Sequence, residues 1–461
     1  APVPHSPNVS MLPLILLAAV MAAHAGHGLD AVSLTSHPWL ATSLWLGLPG
    51  LFVILAGSWF QRCAGAIQRG QPQQLSAASR IMRGSRTLLV LSGLLFVLVF
   101  DGLSVIRQWT GNLILVDELL VLAPVLMGYF LLAFFWYSID LAIANSSDEL
   151  SGMTTRWSYA WNKLVIQVLL LFVPAAAILA SIEFLGTFDE ESIGEDLRQG
   201  LLLVITATIF IGTPLIMRGM LSLTPLEPGE LRDRLEQVCL RQRVPVREIL
   251  SWNAGGSVVN AAVVGMLGRM RYILLTEGMI RWMPQRYVEA VMAHEVGHAR
   301  CRHMPWLLAA IVALVLAMEV VWLPIPAIPQ VEGLVRLTAL MIMLWLGFGW
   351  ISRRFEWQAD ACAGRDLSQA YASGQVMTLE ATTAMIGALQ SISALNGDDG
   401  RRKDWRHGSI RLRCRRLADL VGRAHDSLPI DRVVGRIKIT TVLLALVSLL
   451  FLSLSASNGS T

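Results

Sequence analysis

The chain has 461 residues, of which 54% are hydrophobic and 15% charged, with a mean hydropathy of +0.56; this excludes an ordinary soluble protein and implies a mainly α, polytopic membrane protein. The 37 Lys+Arg against 33 Asp+Glu leave a formal charge of +4, which does not imply nucleic acid as a partner and matters here through its distribution along the chain. Cys63, Cys239, Cys301, Cys362 and Cys414 form no paired framework and no C-x-x-C, which excludes a disulfide scaffold and a thiolate zinc site and reads as free thiols.

Residues 1–37 are read as an N-terminal segment. Its opening Ala-Pro-Val-Pro lacks an initiator, so the natural start is expected at Met11, with residues 1–10 a tag remnant. The apolar run Leu12 to Ala23 is short for a membrane span, and Ala23-His24-Ala25 has the small residues of a cleavage site, although no Lys or Arg precedes it. A cleaved signal and a short anchoring helix both stay open.

Residues 38–217 are expected to hold five spans, at Trp39 to Phe60, Thr87 to Ile106, Leu119 to Ile143, Leu164 to Leu185 and Leu201 to Met217. Residues 306–351 add a hairpin of two spans, Trp306 to Leu323 and Leu334 to Ile351, and residues 439–461 add a last one at Ile439 to Leu454, about eight in all. Arg62, Arg69, Arg80, Arg83 and Arg86 mark the first connection as cytoplasmic, whereas Asp189, Glu190, Glu191, Glu195 and Asp196 mark the loop before the fifth span as external. By alternation, the polar pieces 218–305 and 352–438 are both cytoplasmic and are expected to form one small α+β domain from two separate segments. Within the first, Glu230 to Arg241 has helical periodicity, and Val258 to Val264 with Tyr272 to Thr276 reads as a short hairpin. Asp101, Asp117, Glu118, Asp140 and Glu319 lie in or beside spans and are expected to face protein or a water-filled cavity.

The chemistry concentrates at His294-Glu295-Val296-Gly297-His298. On a helix, residues four apart share a face, so both imidazoles can converge on one ion with Glu295 beside its open position. A catalytic zinc takes three protein ligands, and Glu356 is the candidate third, just past the span that returns the chain to the same side. Asp360, one turn further, can accept from the far ring nitrogen of a ligand histidine and fix its tautomer.

This arrangement resembles the integral-membrane zinc metalloproteases that include the type I CAAX prenyl proteases and the bacterial heat-shock membrane protease. Further matches are Asn260-Ala261-Ala262, similar to the element before the family's substrate-lining strand, the run Val288 to Ala293 before His294, and His407 with Arg413 and Leu417, similar to the late His-Pro segment. Gly408 stands where the family has proline, and Ala-Ala-Val follows Asn260 where Ala-x-Ala is commoner. The motifs cover residues 222–420. The resemblance implies a zincin-like (gluzincin) domain holding one catalytic Zn2+ on His294, His298 and Glu356, with Glu295 as general base. It further implies that His407 and Arg413 stabilise the oxyanion or hold a carboxylate, and that the backbone at Asn260, Ala261 and Ala262 pairs with an extended substrate. The expected activity is zinc-dependent endopeptidase cleavage of membrane-associated or misfolded proteins at the cytoplasmic face of a bacterial inner membrane. The competing reading is an inactive zinc-binding scaffold or chaperone of the same fold, against which the intact Glu295 argues.

Overall fold

The computed structural model describes residues 16, 19–20, 38–71, 73–111, 113–146, 155–189, 193–253, 259–323, 332–372, 375–396 and 405–459. Most of the expected signal or anchor and most of the polar loop after Asn396 lie outside the described residues. The chain divides into two compact units, the first running to Ser222 and taking in also 332–335, the second beginning at Leu223 and resuming at Arg336.

The first unit consists of α1 (Pro38–Gln68), α2 (Gln74–Val99), α3 (Gly102–Thr110), α4 (Val116–Ser146), α5 (Arg156–Leu164), α6 (Leu170–Gly186) and α7 (Glu195–Met220). A π-turn over Val165–Leu169 joins α5 to α6, so Arg156–Gly186 is one uninterrupted helical stretch. The helices outrun their apolar segments. Arg80, Arg83 and Arg86, expected in a loop, are helical residues of α2, and Arg86 is buried with its guanidinium 5.6 Å from the Tyr129 ring centroid. Burial of a cation in an apolar bundle requires such partners. The same holds for the acids of α4: Asp117 and Glu118 accept from Arg107 at 3.0 Å each, and Asp140 accepts from Trp136 Nε1 at 3.0 Å and Tyr159 Oη at 2.6 Å.

The second unit begins with a four-stranded sheet of β1 (Leu223–Pro225), β2 (Glu248–Trp252), β3 (Ala261–Val264) and β4 (Tyr272–Thr276), in the order β1-β2-β4-β3. β3 and β4 are the expected antiparallel hairpin, Ala261 opposite Leu275 and Val264 opposite Tyr272. Gly265 turns it at φ 104°, where an added Cβ would meet the Met270 carbonyl at 2.6 Å, so only glycine fits. β4 also runs parallel to β2, and the intervening crossover is too short a signal to have been anticipated. All five residues of β4 are buried, whereas β3 is an edge strand.

Helices α8 (Glu230–Arg241), α9 (Glu277–Trp282), α10 (Gln285–Arg300), α11 (His303–Trp322), α12 (Glu332–Ala372), α13 (Leu379–Leu395), α14 (Ile410–Ala418) and α15 (Pro429–Gly459) complete the unit. One core joins Val288, Val291, Met292 and Val296 of α10 to Ala363 and Leu367 of α12 and Met385 of α13. The expected span Leu334 to Ile351 is the first half of α12, a helix of 41 residues whose second half carries Glu356 and Asp360. Among the described residues, seven helices are long and apolar enough to cross a membrane, His303–Trp322 and Pro429–Ser455 being those of this unit. Glu319, expected to face protein or a water-filled cavity, is exposed on α11 about one turn from the helix end.

Arg241 ties the unit together electrostatically. Its guanidinium donates to Asp366 on α12 at 2.8 Å and to Glu289 on α10 at 3.2 Å, both acids being buried. Arg241→Ala strands two buried carboxylates, and after allowance for the partial exposure of the arginine it should destabilise this unit by about 2–3 kcal/mol. Thermal unfolding of the full chain in detergent measures it, with Arg241→Lys expected to recover part of the loss.

Candidate metal centre

Helix α10 forms because Pro284 at its N-cap presets the chain and because Val288, Val291, Met292 and Val296 repeat at helical spacing on its buried side. His294 is buried on an adjoining side of the helix, while His298, one turn on, is partly exposed. Gly297 lets α12 come close: a Cβ there would stand 3.1 Å from Cys362 Cβ and 3.3 Å from the Ala359 carbonyl oxygen. The approach brings Glu356 to the two histidines.

His294, His298 and Glu356 are the group of side chains among the described residues arranged to hold a metal ion, each offering one ligand atom within 4.8 Å of the others. Nε2 of His294 and Nε2 of His298 are 3.2 Å apart. Glu356 Oε2 is 3.5 Å from the first and Oε1 3.6 Å from the second. Tetrahedral coordination at ordinary zinc–nitrogen and zinc–oxygen lengths puts neighbouring ligand atoms about 3.3–3.4 Å apart, so the spacing suits such an ion. The charges suit it too. With Glu295 ionised, the three carboxylates Glu295, Glu356 and Asp360 less the one guanidinium Arg413 leave two negative charges, matching a divalent cation.

Behind this face stand two orienting networks. Asp360 Oδ1 lies 3.0 Å from His294 Nδ1, and Arg413 clamps the same carboxylate with two hydrogen bonds of 2.8 and 2.7 Å. Its third nitrogen is 3.2 Å from Glu356 Oε2. Buried at 7% exposure, Arg413 thus holds carboxylates rather than facing an open site. The second network was not anticipated from the sequence. His298 Nδ1 meets Nδ1 of the buried His303 at 2.9 Å, His303 Nε2 meets Gln358 Oε1 at 2.9 Å, and Gln358 Nε2 donates to Asp431 at 2.7 Å. Its polarity is consistent from end to end: Gln358 can only accept through its oxygen, so His303 carries its proton on Nε2 and accepts from His298 Nδ1–H, which leaves His298 Nε2 with a free lone pair. Phe355 stacks on the His303 ring at 4.4 Å and fixes its plane. The signal was the third His of His294, His298 and His303, five residues after the motif.

The electrostatics follow from burial set against partners. Burial opposes a charge on His294, but hydrogen bonds to Asp360 and Glu356 outweigh it and hold the imidazole to about 9. Burial takes His298 well below the usual range, aided by His294, His303 and Arg413. Burial would raise Glu356 and Asp360, yet Arg413 prevails and keeps both low. Glu295 is raised, first by burial and then by the Glu356 carboxylate, with His294, His407 and the Val263 amide pulling the other way.

His407 is half-exposed, with Nε2 3.8 Å from Glu356 Oε1. Gly408, where the resembled family has proline, adopts φ 76°, a backbone state that proline, fixed near −65°, does not reach; the loop therefore takes its own path after His407. Asn260 and Ala261 sit at the start of β3, where the Asn260 amide donates to Thr276 Oγ1 at 3.0 Å. Asn396, absent from the sequence reading, pins Val259 by both backbone groups, at 3.2 and 2.9 Å.

Residues 225–399 match the family model of Peptidase family M48. Among solved structures, the crystal structure of S. mikatae Ste24p is similar at 17% identity, over 81% of this chain and 98% of that one, with a TM-score of 0.47. A search of the curated proteins found no match.

Two outcomes are expected. His303→Phe keeps the stacked ring but removes the acceptor, and should weaken metal affinity about 10–100-fold in a chelator competition assay. Without metal, His294 stays protonated up to about pH 9, so metal uptake at neutral pH must expel that proton. Apparent affinity should then rise about tenfold per pH unit between 7 and 9 and level off above, with proton release visible by calorimetry in buffers of different ionisation enthalpy.

Proposed function

We propose that this chain, a membrane metalloendopeptidase carrying a Peptidase family M48 domain over residues 225–399, hydrolyses peptide bonds of membrane-associated or misfolded proteins at the cytoplasmic face of a bacterial inner membrane, using one zinc ion on His294, His298 and Glu356. The observation that carries the reading is the triangle of ligand atoms at 3.2, 3.5 and 3.6 Å with Glu295 beside it on the same helix. Bound there, zinc supplies Lewis acidity, lowering the pKa of water and polarising a peptide carbonyl.

The remaining work falls to the chain's own side chains. Asp360, 3.0 Å from His294 Nδ1, would hold a proton there and His303 would accept from His298 Nδ1–H, leaving the two Nε2 lone pairs available to a metal. Glu295 takes the proton of the attacking water and returns it to the amine nitrogen as the bond breaks; its raised pKa makes it a competent acid for the second half. Arg413, spent on Asp360 and Glu356, preserves the ligand geometry. His407, exposed beside Glu356, is placed to donate to the carbonyl oxygen as charge develops there.

Substrate is assigned to the outer edge of β3, which pairs with no further strand among the described residues. An extended segment laid beside Asn260, Ala261 and Ala262 would pair through its main chain, and the amide contact of Val263 with Glu295 ties that edge to the general base. Main-chain pairing selects unfolded or extended segments, in keeping with misfolded proteins. The cytoplasmic placement rests on the Arg bias of the first connection.

Glu295→Gln should retain zinc stoichiometry while cleavage of an unfolded casein or membrane-protein substrate falls by at least about 10²–10⁴-fold. His298→Ala should lose both. Full turnover by the Glu295→Gln protein would remove the proposed base, and inactivity of the zinc-loaded wild type toward every such substrate would favour the scaffold reading.

A further inference from the structure

Close to the metal centre, but unused by it, two thiols meet. Cys301 caps the C-terminus of α10, and Cys362 lies on α12 two residues after Asp360. Their Sγ atoms are 3.2 Å apart. The contact has a structural cause, since Gly297, one turn before Cys301, already stands with its Cα side against Cys362 Cβ and the Ala359 carbonyl. A disulfide needs its sulfurs at about 2.05 Å, so the pair stands roughly 1 Å from bonding distance. We infer that Cys301 and Cys362 are an oxidisable pair whose disulfide staples the helix bearing His294 and His298 to the helix bearing Glu356.

The surroundings favour reaction at one sulfur. Cys301 is partly exposed and Cys362 buried, so an external oxidant reaches Cys301 first. Lys438 donates its ammonium to the Cys301 carbonyl at 3.1 Å, and the Cys362 thiol and Lys438 favour the Cys301 thiolate, whereas the same contact and burial keep Cys362 protonated. Nucleophilic thiols occur in such electropositive, partly exposed settings. With a low-molecular-weight disulfide as oxidant, Cys301 sulfur attacks one of its sulfurs, forming a mixed disulfide and expelling one small thiolate. Cys362 then gives up its proton, attacks Cys301 Sγ and expels the second. Two protein thiols are oxidised and one small disulfide is reduced to two thiols. In a reducing compartment such a bond is transient and responsive.

The consequence is specific to this placement. The disulfide adds a covalent tie between α10 and α12 to the one a bound metal makes, so the oxidised domain should lean less on the metal than the reduced one. The full-length protein in detergent, with its metal, is treated with oxidised glutathione, alkylated and digested without reduction. The expected product is one peptide pair joining Cys301 to Cys362, the two thiols disappearing together while Cys63, Cys239 and Cys414 remain alkylated. Cys362→Ala should instead stop at one glutathione adduct on Cys301, and Cys301→Ser should leave Cys362 unmodified. In thermal unfolding, chelator should lower the midpoint of the reduced protein markedly and that of the oxidised protein little. Independent alkylation of Cys301 and Cys362 after oxidation, or pairing of either with another cysteine, would overturn the inference; so would equal chelator sensitivity of the two forms. The cross-link is read on the wild type, so misfolding of a variant does not blunt the test.

Discussion

The constraint on which the rest depends is the closeness of α10 to α12 at Gly297. Two of the three side chains proposed to hold the metal come from one helix and the third from the other, and the separation of His294, His298 and Glu356 is set by how near the two backbones come. At Gly297 a methyl group would already be tight against Ala359 and Cys362. Packing in a core is close enough that a shift of a few tenths of an ångström is felt. The helices are therefore held at the distance a small cation needs, and the apolar core around Val291, Val296, Ala363 and Leu367 provides the force.

Around that contact, polar groups are arranged in two opposed networks. On one side Arg413 answers Asp360 and Glu356; on the other, His298 leans on His303, Gln358 and Asp431. Both begin at a ligand and end at a side chain from a distant part of the sequence, α14 in the first case and α15 in the second. Neither orienting group need touch a substrate. Their work is to decide which nitrogen of each imidazole carries hydrogen, because a neutral ring in the wrong tautomer presents a proton where a lone pair is needed.

Much of this was legible in the sequence. The helical period of Glu230 to Arg241, the hairpin around Gly265 and the pairing of Glu356 with Asp360 at one turn are local signals, and local signals survive without tertiary information. Most of the apolar helices were drawn too short, because polar ends such as Arg80 to Arg86 continue a helix that hydropathy stops counting, while the span expected over Thr87 to Ile106 overran the end of α2 at Val99 into the separate helix α3. β2 escaped because Glu248-Ile-Leu-Ser-Trp252 acquires meaning only through its parallel partner β4. His303 and Asn396 escaped for a related reason: each acts through a contact that sequence distance conceals, and a single histidine or asparagine has no period to betray it.

α12 has a mechanical consequence. It carries no proline, and it runs as one helix from its apolar half through Glu356 to Ala372. From Arg336 to Glu356 is twenty residues, or about 30 Å of rise at 1.5 Å each, comparable to the hydrocarbon thickness of a bilayer. No flexible joint intervenes. The helix acts as a ruler, so the height of the Glu356 carboxylate above Arg336 is fixed by the rise of the backbone between them.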